Sequence, residues 1–174
     1  MEYFRLEQDK RVPYGVLMQG LSKMENIQEA LKGNIIPLKR MNVVFVPPSR
    51  FNWYPDVLDR QLFLVQENVK EAFDLYQPDL QYRYFCLLDN QNQVHKFYYA
   101  PALEMVDCLS EESGCNLDKS VIRNVVLRKE SIDGKDLFRI AGVKELVVIV
   151  SLPMAESLLR RRPKGIRILH VEIM

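Results

Sequence analysis

Leu146-Val147-Val148-Ile149-Val150-Ser151-Leu152-Pro153-Met154-Ala155-Glu156-Ser157-Leu158-Leu159-Arg160-Arg161-Arg162-Pro163 carries a complete structural phrase. Five apolar, mostly β-branched residues from Leu146 to Val150 predict a buried strand, and Ser151 supplies a helix cap. Met154 to Arg161 predicts a helix that Pro163 breaks, and Ile166 to Ile173 predicts a returning strand. The same order occurs 85 residues earlier, where Leu62 to Val65 is a strand, Gln66 to Tyr76 a helix, Pro78 a breaker and Leu80 to Leu88 a strand. The shift superposes Val65 on Val150, Glu71 on Glu156 and Pro78 on Pro163. Two similar β-α-β units in one sheet are expected, with Val69, Phe73, Met154 and Leu158 on the buried helix faces.

Working outward, Val94 to Ala100 pairs with Leu80 to Leu88 across the turn Asp89-Asn90-Gln91-Asn92. Asp133-Gly134 predicts a type I′ hairpin joining Val125 to Ile132 with Leu137 to Ile140, since both residue types tolerate positive φ. Glu2 to Leu6 predicts a short strand, Met24 to Lys32 a helix capped by Ser22 and ended by Gly33, and Asn42 to Val46 a strand stopped by Pro47-Pro48. The fold class that follows is α+β, a mixed and largely antiparallel sheet with hairpins and two β-α-β-like units whose helices pack on it. The expected organisation is a single domain over residues 1–174, with 1–60 less regular and 61–174 forming the core.

Composition agrees with a globular chain: 174 residues, 48% hydrophobic and 27% charged, with 24 Lys and Arg against 23 Asp and Glu for a net charge of +1. A chain of this size buries roughly 70% of its unfolded surface, and its near-zero charge provides no global field for nucleic acid or a membrane surface. No window approaches the roughly 18 apolar residues of a membrane span, and the charged N-terminus does not read as a signal peptide, so the expected compartment is the cytoplasm. The three cysteines, Cys86, Cys108 and Cys115, read as reduced thiols, although Cys108 and Cys115 could meet across a turn.

Chemistry is thinly marked. The cysteines lack Cys-x-x-Cys spacing and the two histidines, His95 and His170, lie in predicted strands, which disfavours a metal site. Seven scattered glycines build no phosphate loop, so no cofactor is expected. Cys86 reads as buried and inert, His95 as a half-exposed strand residue, and the carboxylates Glu104, Asp107, Glu111 and Glu112 as a solvated turn. Two stretches stand out as candidate partner-binding surfaces. One is the loop with Trp53 and Tyr54, of the amphipathic type enriched in binding hot spots or else anchored on the core. The other is Arg160, Arg161, Arg162 and Lys164, which either complement a helix C-terminus or meet an acidic partner.

The run Phe97-Tyr98-Tyr99-Ala100-Pro101-Ala102-Leu103-Glu104-Met105-Val106-Asp107-Cys108-Leu109-Ser110, with Leu137-Phe138-Arg139-Ile140, Val148-Ile149-Val150-Ser151 and Lys164-Gly165-Ile166-Arg167, resembles the bacterial type-eleven immunity-protein family over roughly Leu62 to Ile173. The arginine-rich stretch before Lys164-Gly165 departs from the family's looser consensus. The resemblance implies an α+β bacterial protein of polymorphic toxin systems that neutralises a cognate protein toxin by contact, with no catalytic residues. Rival expectations are a small hydrolase or transferase with an unrecognised site, and a ligand- or nucleic-acid-associated regulatory domain, nucleic acid being disfavoured.

Overall fold

A computed structural model of the chain describes residues 1–11, 15–116 and 122–174, apart from the side chain of Cys115. Its strands are β1 (Tyr3–Gln8), β2 (Met41–Phe45), β3 (Val57–Leu58), β4 (Leu64–Val65), β5 (Tyr82–Asp89), β6 (Val94–Pro101) and β7 (Met105–Val106). They continue with β8 (Gly114–Cys115), β9 (Ile122–Asn124), β10 (Val126–Leu127), β11 (Leu137–Ile140), β12 (Val148–Ser151) and β13 (Ile166–Ile173). The helices are α1 (Ile27–Leu31), α2 (Glu67–Tyr76), α3 (Lys129–Ile132) and α4 (Leu152–Arg160). The fold is α+β, and antiparallel pairs outnumber parallel ones.

The two β-α-β units occupy two sheets rather than one. In the five-stranded sheet, ordered β2-β5-β6-β4-β3, the parallel strands β4 and β5 that flank α2 are separated by β6, antiparallel to both. In the six-stranded sheet, ordered β10-β13-β1-β12-β11-β7, the strands β12 and β13 that flank α4 are separated by β1 in the same way. The equivalence extends outward. β3 and β11 each pair antiparallel with the first strand of their unit, while β2 and β10 each pair parallel with the second. β1 thus fills in one sheet the place that β6 fills in the other. The N-terminal segment is therefore no appendage, because β1 lies near the middle of the larger sheet and its pairing spans the whole chain.

The helices pack against each other between the sheets. Val69, Ala72 and Phe73 of α2 share one apolar cluster with Met154, Ala155 and Leu158 of α4, together with Leu6, Val65, Val148 and Val150 from both sheets. The Tyr76 hydroxyl donates to the Pro153 carbonyl at 2.9 Å across the same contact. A second cluster covers the opposite face of the five-stranded sheet, where Ile27 and Ala30 of α1 meet Val44, Phe85, Leu87 and Tyr98. The third lies behind the larger sheet around Tyr3, Phe138, Ile140 and Ile149.

Three local expectations are corrected. Asp133 takes φ −58° and ψ 131°, and only Gly134 has positive φ, at 73°. With Lys135 N–H donating to the Ile132 carbonyl at 3.1 Å, this is a type II turn, which needs the left-handed region at its third residue only. It closes α3 instead of a hairpin, and β10 pairs with β13 instead of β11. The helix expected from Met24 begins at Ile27, because Ser22 is taken into a 3₁₀ turn over Leu21–Lys23 and Asn26, at φ 61°, starts the helix without a side-chain cap. Ser151 does stand at the N-cap of α4, but its hydroxyl bonds the Asp136 carboxylate at 2.5 Å rather than the helix backbone.

Candidate protein-binding surface

Strand alternation places Met41, Val43 and Phe45 on one face of β2, and register carries that face across the sheet. Met41, Val43 and Phe45 pair with Tyr84, Cys86 and Leu88 of β5, which pair in turn with Tyr99, Phe97 and His95 of β6. The helix α2 covers only one end of this array. There the Lys70 ammonium lies 4.9 Å from the Tyr82 ring centroid and 5.6 Å from that of Tyr99, and Tyr82 donates to Asp74 at 2.7 Å. Tyr99 bonds the Glu67 carboxylate, which with burial pushes its phenol up to about 12.

Beyond Tyr84 the outer face is largely open, with Lys23, Met24 and Glu25 lining a groove beside Met41 and Val43. Val43 is 58% exposed, Met41 52%, Phe97 52% and Phe45 48%. Single exposed apolar residues are ordinary, but three on β2 and one on β6, bridged across β5 by Tyr84, Cys86 and Leu88, form a contiguous patch of the kind that marks association sites. The backing is firm, since Val44, Phe85, Leu87 and Tyr98 on the reverse face are almost completely buried. β2 is also the sheet's edge, where among the described residues one bridge crosses it, with Gln19 N–H donating to the Phe45 carbonyl at 2.7 Å.

The patch corrects the reading of Cys86, which is half-buried on this outer face between Val43 and Phe97 rather than sealed in the core. His95 is exposed at its margin, with its ring edge-on to Phe97 at 5.7 Å. Cys108 is a buried free thiol that desolvation pushes up to about 11. The carboxylates near the third cluster do not converge on a reacting centre: Glu104 accepts from Lys135 at 2.6 Å and Asp107 from Arg128 at 3.1 Å. Among the described residues, no group of three or more metal-ligating side chains is assembled.

The two stretches singled out from sequence are joined to each other. Asp56 makes the seam. Its amide donates to the Lys164 carbonyl at 2.8 Å, and its carboxylate accepts from the Lys164 amide at 2.6 Å and from Asn68 at 2.8 Å. Trp53 lies over Gly165 so closely that a methyl there would fall 2.0 Å from its Cη2, at a backbone φ of 72° that favours glycine. Tyr54 packs against the cluster behind the five-stranded sheet. The neighbouring Pro55 carbonyl accepts from the fully buried Tyr98 hydroxyl at 2.7 Å.

Of the cations, Arg161 caps α4 by donating to the Ser157 carbonyl at 3.0 Å and to its hydroxyl at 2.7 Å, and Arg160 lies 3.6 Å from Glu156 one turn back. These two serve the helix end. Arg162, which leaves the helix at φ 50°, and Lys164 are exposed beside the Trp53 seam.

The chain is thus an α+β protein built from two interlocked split β-α-β units, with an uncovered apolar face on one of them. A scan against protein-family models matches none, and a search of the curated proteins finds no significant match.

Proposed function

We propose that this chain is a non-enzymatic bacterial binding protein of the immunity type, acting in the cytoplasm to neutralise a cognate toxin by protein–protein contact. The observation that carries the reading is the rigid apolar face of Met41, Val43, Phe45 and Phe97, each about half exposed on a sheet whose reverse side is closed. Aromatic and Met side chains are enriched at the centres of interfaces, and blocking an enzyme requires complementarity, not chemistry. Arg162 and Lys164 add charge that speeds the encounter with an acidic partner, and the resemblance of the Phe97 to Ser110 and Leu137 to Ile140 runs to immunity proteins supports the same class. Among the described residues, no helix is long and apolar enough to cross a membrane.

The test is growth rescue. A toxin candidate encoded beside this chain's gene is expressed with the wild-type protein and with a Val43→Asp/Phe97→Asp variant. Wild type is expected to restore growth and the variant to fail while melting like wild type. Rescue by both, or by neither, overturns the reading.

A further inference from the structure

The Leu137-Phe138-Arg139-Ile140 run was singled out for its pattern, yet Arg139 has a chemistry that the partner-binding face does not use. It lies on β11 and is only 7% exposed, with its Nε fully buried and without a hydrogen-bond partner. No carboxylate of the described residues pairs with its guanidinium. Burial alone draws it below its ordinary range, and no neighbouring charge contributes. An arginine cannot escape this by shedding its proton, and an unpaired buried guanidinium is costly unless a counter-charge reaches it.

The side chain lines a cavity of about 440 Å³ between the β3–β4 turn and the β11–β12 turn. The cavity is lined by five cationic side chains and two carboxylates; of the cations, Arg5 is held by Glu7 at 3.0 Å and by Glu145, and Lys10 lies 3.8 Å from Glu7. Glu145 accepts from Arg5 at 2.6 Å through one oxygen and from the Ile122 amide at 2.9 Å through the other. Asp59 accepts the Gln8 amide at 2.9 Å. Arg60 is exposed at the rim with Lys10. Gly33 makes room for the guanidinium, since a methyl at that position would fall 2.9 Å from Arg139 Nη1. The repeat gives the placement a simple origin: the register Val57↔Val65 and Leu137↔Val150 makes Asp59 the positional equivalent of Arg139, so the two units present residues of opposite charge to one cavity.

We propose that this cavity is an anion site, in which Arg139 grips the carboxylate or phosphate group of a small molecule and Arg60 and Lys10 close over it from the rim. A planar fork that meets oxyanions through two parallel hydrogen bonds suits Arg139 to this task, and the volume falls within the range of small-molecule pockets, larger than a bare oxyanion needs. The site is separate from the sheet face formed by Met41, Val43, Phe45 and Phe97, so either can be lost without the other.

Inorganic phosphate and succinate are titrated into the full chain by calorimetry and thermal melting, against potassium chloride at matched ionic strength. Binding of at least one probe in the millimolar range is expected, with a raised melting temperature, and at least tenfold weaker binding in Arg139→Met. Phosphate against succinate separates the two sources of the oxyanion. Arg139→Lys keeps the charge without the fork, preserves folding and is expected to bind several-fold more weakly; Arg60→Ala is expected to weaken binding less than either. In anion-free buffer Arg139→Met is expected to melt no lower than wild type, because it removes an unpaired buried charge. Probes that act no differently from chloride, or Arg139 variants that bind as wild type does, overturn the proposal.

Discussion

Phe73 and Leu158 occupy equivalent places on α2 and α4, and both are fully buried in the cluster that the two sheets share. Replacing either by Ala removes packing from the seam between the units. A fully buried Phe→Ala costs about 3–5 kcal/mol and a Leu→Ala about 2–5 kcal/mol where the site cannot collapse, as it cannot between two sheets. For a chain of this length each kcal/mol lowers the melting midpoint by about 2–4 °C, so Phe73→Ala is expected to lose roughly 6–20 °C. Leu75→Ala, two residues further along the helix on its outer side and 66% exposed, is expected to stay within about 0.5 kcal/mol. The double variant enlarges one shared cavity instead of making two, so a coupling of about 0.5–3 kcal/mol is expected. Urea unfolding followed by far-ultraviolet circular dichroism and by fluorescence of Trp53, the only tryptophan, measures all of this. The two probes are expected to coincide in every variant, because Trp53 lies against Gly165 and reports the seam between loop and second unit. A loss below about 1 kcal/mol in Phe73→Ala, strict additivity, or separated transitions would refute a single cluster holding both sheets together.

Gly165→Ala is expected to be strongly destabilising, since it combines left-handed backbone with a clash against Trp53; Trp53→Ala in the same chain should recover part of the loss in thermal melts, and no recovery would mean that the clash is irrelevant. Burial raises the Glu145 carboxyl, but the bonds from Arg5 and the Ile122 amide outweigh it and hold the group below the usual carboxylate range. Its stabilising contribution is therefore present above the unfolded value near 4.5 and lost as pH falls through the lowered folded value. Glu145→Gln should lower the melting temperature at neutral pH and converge with wild type in acid, and a constant gap would reject the assignment. In a Cys115→Ser background, a maleimide at neutral pH is expected to label half-buried Cys86 readily and buried Cys108 only after unfolding, as peptide mapping would read out. For an acidic partner, charge reversal at Arg162 and Lys164 is expected to slow association at low salt and to matter little near 1 M, where the Debye length is about 3 Å; equal rates at both ionic strengths would exclude steering by this end of α4.

The helices α2 and α4, their buried faces, the β5–β6 hairpin and the recurrence of strand, helix, proline and strand were legible from residue order, because each depends on patterns local in the sequence, the widest being the hairpin's pairing of Tyr82 with Pro101. Val69, Phe73, Met154 and Leu158 are buried as their 3.6-residue spacing predicts. Sheet membership was not legible. Whether two equivalent units share one sheet or face each other across two depends on which strand enters between β12 and β13, and β1, almost the whole chain away, does so through backbone bonds that carry no side-chain signature. The apolar run around Val43 and Val44 shows the same limit: alternation assigns the two residues to opposite faces, but only tertiary packing decides that α1 and its neighbours cover the Val44 face while α2 covers just the far end of the other and leaves Val43 to solvent. Arg139 is the extreme case. Its motif marks a strand, whereas its isolation arises from the meeting of two turns some 80 residues apart, where packing brings an ionic side chain inward without pairing it with a carboxylate of the described residues.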